Sequence, residues 1–241
     1  MSLESDGGSL SKIQESSRFQ KNIFLLVILA PLICVFIVSL KYTSMDHFIN
    51  FGLSVEGVAS GKVWQFFTYA FLHGGWAHFS VNFLLIWLFA KRLMMQVSSK
   101  KVFNVFLAGI VIGGALHLVN SFVRINLGYE DQYLVGVSGA CYALLLAVCK
   151  LSPYTRVFRL PVSGRNLGSG VVLTEVLLAL IDPSMGVPVF SNLGHWLVSI
   201  GAGPLFQISR FCHIGGALAG WLLAIRYHKQ FTSAVYSNRH N

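Results

Sequence analysis

The chain has 241 residues, 54% of them hydrophobic and only 11% charged, with a formal net charge of +9. A soluble domain carries about a quarter charged residues, so this composition excludes a disordered chain and argues against an ordinary soluble enzyme. The basic residues lie in clusters between apolar runs and form no single patch, which points away from nucleic acid and toward a polytopic membrane protein.

Residues 1–21 are polar and rich in Ser and Gly, and are expected to be a mobile tail. A spanning helix needs about 20 mostly apolar residues. The first candidate is Asn22 to Leu40. It has no small-x-small site after it, so it reads as a retained anchor and not as a cleaved signal. A long loop, Lys41 to Ala77, follows. Its later part holds Trp64, Phe66, Phe67, Tyr69, Phe71 and Trp76, which suit the headgroup level. The second span is His78 to Leu93, the third Val102 to Val123, the fourth Ser138 to Cys149, the fifth Leu167 to Ile181 and the sixth Phe211 to Ile225. Pro188 to Ser209 is apolar but broken by Gly194, Gly201, Gly203 and Pro204, and is expected to form an external cap or re-entrant segment. The fold class is therefore all-α: a six-transmembrane-helix bundle over 22–226 between cytoplasmic tails at 1–21 and 227–241.

Charge fixes the expected orientation. Of the 18 Lys and Arg, fourteen fall in the two tails, the second-to-third loop and the fourth-to-fifth loop, and four (Lys41, Lys62, Arg124, Arg210) on the other side. By the positive-inside rule both termini are cytoplasmic, in a plasma membrane, the bacterial inner membrane first. The cysteines Cys34, Cys141, Cys149 and Cys212 sit in or beside apolar runs. Their spacing fits neither a zinc site nor a disulfide framework, so they read as small buried residues. No metal and no other cofactor is expected.

Polar residues inside spans are costly and mark function by default. The second span opens His78-Phe-Ser-Val-Asn82, the fourth Gly136-Val-Ser138-Gly139, and the sixth Cys212-His213. Counting back from Lys91, Lys150 and Arg226, the residues His78, Ser138 and His213 lie 12 or 13 positions up their helices. At ~1.5 Å per residue that is one shared depth, ~18–20 Å above the cytoplasmic edge. Singly, each residue reads as an interhelical hydrogen bond, and Gly216 and Gly220 as helix-packing contacts. Jointly, they read as a site. A serine hydroxyl needs a base to become a nucleophile, and His213 is the best one present. Asp46, Glu56, Glu130, Asp131 and Asp182 are assigned to external loops, and a frayed fifth helix would put Glu175 too deep to help, so the pair is expected to be a Ser–His dyad. An attacked carbonyl becomes an oxyanion, for which His78, the Asn82 amide and the Ser138 N–H are donors. Tyr142, one turn after Ser138, is placed to pack on the His213 ring.

These residues resemble the rhomboid intramembrane serine proteases. The family's His-x-x-x-Asn, Gly-x-Ser-Gly and His followed by a Gly-x-x-x-Gly-type stretch occur here as HFSVN (78–82), GVSG (136–139) and HIGGALAG (213–220), in the right order, within about residues 60–226. The resemblance implies Ser138 as nucleophile, His213 as base, His78 and Asn82 as oxyanion donors, and Gly136, Gly139 and Tyr142 in support. It implies cleavage of single-span transmembrane substrates within the lipid bilayer. Two departures stand out. The family's Trp-Arg in the first loop is Trp64-Gln65, and its Glu near the end of the second helix falls at Met94. Two other readings compete. An inactive relative that binds transmembrane clients for quality control would need neither Ser138 nor His213. A six-helix transporter would need internal repeats and a path of charges, and the sequence offers neither.

Overall fold

The computed structural model describes residues 22–23, 25–39, 45–157 and 161–237. The expected tail over 1–21 lies outside them, as do Lys41, Arg159 and Arg239. In chain order the helices are α1 (Leu25–Ser39), α2 (Met45–Phe51), α3 (Val55–Ala59), α4 (Gln65–Thr68), α5 (Trp76–Leu93), α6 (Ser99–Asn126), α7 (Ser138–Leu151), α8 (Gly164–Leu180), α9 (Pro188–Leu197) and α10 (Arg210–Ser237). Among the described residues there is no strand, only isolated bridges at Leu53–Leu134 and Arg156–Ser163.

α7 is the centre. Every residue from Gly139 to Cys149 except Tyr142 is buried, under α5, α6, α8 and α10. Small residues let the backbones approach. A Cβ added to Gly216 would lie 2.0 Å from the Gly139 carbonyl oxygen, and one added to Gly220 would lie 2.0 Å from that of Ala143. Both glycines therefore sit where α10 crosses α7, as small-residue pairing predicts. α1 shows the opposite pattern. Leu25, Ile28, Leu29, Leu32 and Phe36 form a buried stripe at helical spacing, while Leu26, Val27, Ile37 and Val38 are apolar and exposed. An outer face this apolar is made for lipid and not for water. Cys34 is exposed on the same helix, against the expectation of burial, whereas Cys141, Cys149 and Cys212 are buried.

Helix limits follow local chemistry. α8 begins at Gly164 because the Ser163 hydroxyl caps it, accepting from the Asn166 N–H at 3.3 Å. It starts three residues before the expected Leu167. α10 continues to Ser237, beyond the expected Ile225, since Arg226 and the residues after it end the apolar run but contain no Gly or Pro to end a helix. Pro188 to Ser209 is α9 followed by a wide turn over Val198–Ala202, with Gly201 at φ 94°, and a tight turn over Gly203–Gln207. Length and composition identify fewer spans than six. Among the described residues α6 qualifies alone, and Pro188–Gln207 qualifies with Arg210–His228 as a pair bent by 50°. α1 and α7 are apolar but short. At ~1.5 Å per residue, the 14 residues of α7 reach only ~21 Å.

Candidate active site

The chain reverses sharply before α7. Gly136 has φ 107°, a left-handed conformation suited to glycine, and its N–H donates to the Tyr69 carbonyl at 2.9 Å. A Cβ here would also lie 2.6 Å from His78 Nε2 and 3.5 Å from Asn82 Nδ2. The bare Gly136 backbone thus lets His78 and Asn82, one turn apart on α5, stand over the turn that leads into Ser138. Asn82 is 3% exposed, and its Nδ2 is buried and makes no hydrogen bond. A buried donor without a partner is rare, and here it faces the start of α7. His73 meets His78 edge-on, with ring centroids 5.1 Å apart. Burial, and then the nearby His78, lower the His73 imidazole to about 4, so it adds no positive charge beside His78 at neutral pH.

Ser138 is the first residue of α7, and His213 the fourth of α10. His213 Nε2 lies 2.9 Å from Ser138 Oγ. Ser138 is half-buried and so can be reached, while His213 is 5% exposed. The Tyr142 ring stacks on the imidazole with centroids 4.1 Å apart and planes 13° from parallel. The Ser138 N–H is in the first turn of its helix and has no carbonyl one turn back to bond. The structure therefore brings Ser138, His213 and Tyr142 into contact. It sets His78, Asn82 and Gly136 on the facing side, and uses Gly139, Gly216 and Gly220 in the helix contact beneath. Among the described residues no group of three or more His, Cys, Asp or Glu could hold a metal ion.

One expectation is overturned. The sequence reading leaves His213 without an acid, yet Glu175 Oε1 lies 3.2 Å from His213 Nδ1 and also accepts from the Tyr142 hydroxyl. The physical reason is the Ser163 cap. α8 is helical from Gly164, so Glu175 stands 11 residues up it, at ~16 Å, close to the depth of Ser138. Arg210 was also missed. Counted as a loop cation, it is 7% exposed, and its Nη1 lies 3.2 Å from Glu175 Oε2. The signal was available. A carboxylate in an apolar span needs a partner, and Arg210 sits one turn before His213.

The two departures also find their places. Gln65 is fully buried. Its Oε1 accepts from the Ser54 N–H at 3.3 Å, and its Nε2 donates to the Ile49 carbonyl at 3.0 Å. The loop is thus pinned from within by an amide, where the family pattern has a guanidinium. Trp64 Nε1 adds a bond to the Asn50 carbonyl at 2.8 Å. Met94 is buried at the end of α5 and receives a weak contact from Ser99 Oγ at 3.8 Å.

Residues 60–230 match the Rhomboid domain family. The chain is similar to RHOMBOID-like protein 7 of Arabidopsis thaliana, with 27% identity covering 70% of this chain and 45% of that protein. It is also similar to RHOMBOID-like protein 4 of the same plant, with 27% identity covering 71% and 36%. The chain thus spans less than half the length of these curated relatives. With the family match extending over most of the chain, it belongs to the rhomboid family of integral membrane proteins.

Proposed function

We propose that this protein is an intramembrane serine endopeptidase, cleaving single-span membrane proteins with Ser138 as nucleophile and His213 as base. The observation that carries this reading is the 2.9 Å approach of His213 Nε2 to Ser138 Oγ. With Nδ1–H donated to Glu175, Nε2 is left as the acceptor for the serine proton. The Ser138 oxygen would attack the scissile carbonyl while His213 takes its proton, then returns it to the leaving amine. The oxyanion would meet Asn82 Nδ2, His78 and the Ser138 N–H. The unpartnered Asn82 amide supports that assignment, since a donor kept free in the resting site costs no reorganisation when charge develops.

On this reading the chain is a six-span bundle with both termini cytoplasmic. The loop 41–77 lies at the outer interface, supported by the exposure of Trp64, Phe67 and Trp76. α7 starts below the outer surface, and its first turn opens to water. Substrates must unwind there, because a peptide bond in a regular helix is hydrogen-bonded and shielded. Unsatisfied backbone groups in lipid cost several kcal/mol each, so segments with Gly, Ser or Pro in the outer third are the fitting class. A small residue should precede the scissile bond, above a floor built from Gly136, Gly139 and Ala140. α8 is the lateral entry side.

The test is proteolysis of a panel of single-span proteins in reconstituted vesicles. Ser138→Ala and His213→Ala should each abolish cleavage while the protein stays folded. Replacing Gly or Pro of a cleaved substrate by Leu should slow its cleavage. Full turnover by Ser138→Ala would sink the mechanism and make Cys141 and Cys212 the next nucleophiles to test, whereas a wild-type protein that cleaves none of the panel would leave the client-binding reading.

A further inference from the structure

Resting on the reading of Ser138 and His213 as nucleophile and base, we propose that Glu175 is the positioning residue of that base. It fixes the His213 ring and tautomer through Nδ1 and is carried by a third helix, α8. The pair on α7 and α10 thereby becomes a three-membered relay.

Both oxygens of the carboxylate are engaged. Oε1 faces His213 Nδ1 at 3.2 Å and accepts from the Tyr142 hydroxyl. Oε2 faces Arg210 Nη1 at 3.2 Å, and the same Nη1 lies 3.4 Å from Oε1. Arg210 is held in turn by the Leu205 carbonyl, which accepts from Nη2. Glu175 is 4% exposed. A buried carboxylate is tolerated when a cation and hydrogen bonds hold it, and Arg210 and Tyr142 supply both. The same Tyr142 stacks on the face of the imidazole, so the ring is gripped at its edge and on one side. A ring gripped this way presents Nε2 toward Ser138 and nowhere else. An acceptor at Nδ1 forces the proton onto Nδ1 and leaves Nε2 basic.

Arg210 alone does not account for this arrangement. An ion pair with Arg210 needs neither the imidazole nor the Tyr142 hydroxyl, yet Oε1, which shares Nη1, also meets both. The placement on α8 adds a condition. A groove of about 320 Å³ between α7 and α8 has Tyr142 and Glu175 in its wall, with Gly170 and Thr174. The third contact exists only while α8 is seated against α7 and α10.

The experiment is the pH dependence of fluorophosphonate labelling at Ser138 in the full chain, in micelles. The groups facing His213 are Ser138 and Tyr142 from α7, Glu175 from α8 and His78 from α5, and Arg210 and Cys212 from α10 act on its partner Glu175. Glu175→Gln removes the negative charge beside the imidazole, so the imidazolium becomes less stable. The acid limb should move about one pH unit or more downward, and the plateau labelling rate should fall ~10²-fold or more. Glu175→Asp keeps the charge and should keep the limb near its wild-type position. A merely structural role would lower the melting temperature and leave the limb of the folded fraction unmoved. An unmoved limb with a labelling rate within about threefold of wild type overturns the proposal. A wild-type protein that does not label at all overturns this and the protease reading together. Should Glu175→Gln not fold, the wild-type protein decides. Nitrogen-15 NMR of labelled histidine should find the His213 proton on Nδ1 at neutral pH, in a resonance absent from His213→Ala. A proton on Nε2 overturns the relay.

Discussion

Asn82 shows how one side chain can be placed with its hydrogen-bonding capacity held back. Its side-chain oxygen takes a long contact from the Cys141 thiol at 3.8 Å, and its amide nitrogen takes no partner. Asn82→Ala should therefore cost little stability, since no good hydrogen bond is lost, and lower the cleavage rate ~10²–10³-fold, the usual loss for one oxyanion donor. Melting temperature and turnover measured side by side check this. A large fall in melting temperature with normal turnover would make Asn82 a packing residue. At this scale the sequence was most legible where a polar residue had no apolar excuse. His78, Ser138 and His213 stand out at one depth, Asn82 lies one turn after His78, and Tyr142 follows from helical spacing. Glu175 and Arg210 were each visible as intramembrane or loop charges, but their meeting depends on the start of α8 and on Arg210 opening α10. A hydropathy pattern does not record a capped helix start, because Ser163 and Gly164 are not apolar.

The elements divide between rigid and adjustable. α7 is enclosed, and its crossing with α10 has no room at Gly216 or Gly220, where an added Cβ would lie 2.0 Å from a backbone oxygen. Backbone cannot yield as a side-chain tip can. Gly216→Ala and Gly220→Ala should each lower stability by ~1–3 kcal/mol, the range for overpacking a tight contact. Thermal unfolding in detergent measures it, and an unchanged melting temperature would mean that the helices can part freely. α8 differs. Beside α7 and α10 it leaves a groove of about 800 Å³, whose lining includes Cys149, Gly168, Val172 and Trp221. The helix starts were legible to within a few residues, because Ser138 and Pro188 are local punctuation. The path of Pro188 to Ser209 was not, because Gly201 and Pro204 break a run whose direction then depends on its neighbours.

At the scale of the whole molecule, orientation rests on charge. Arg210 leaves the count of external loop cations, since it is buried against Glu175, and this sharpens the asymmetry. Cysteine substitutions at positions 10 and 154 should label from the cytoplasmic side, and those at 56 and 130 from the other, in a background without Cys34. Tyr154 is 83% exposed, so accessibility there is not limited by packing. Labelling of 154 and 130 from the same side would overturn the topology. The spacing of motifs announced the family and the all-helical fold, whereas helix lengths alone identify one or two spans among the described residues. A short helix such as α7 can serve as the heart of a bundle because its neighbours, and not its own length, close off the membrane around it.

The loop over 41–77 is tied into the turn before α7 at two points. Leu53 and Leu134 exchange N–H···O bonds at 3.0 and 2.8 Å, and Gly136 is bonded to Tyr69, whose hydroxyl reaches the Ile110 carbonyl of α6 at 2.7 Å. A load on the loop therefore has a stiff path to the turn beneath His78 and Asn82. The bilayer supplies such a load wherever its thickness does not match the protein's apolar band. Vesicles of graded acyl-chain length should then change the rate of the chemical step at saturating substrate more than they change substrate affinity. Equal rates across the series would show that the loop absorbs the mismatch before it reaches the turn.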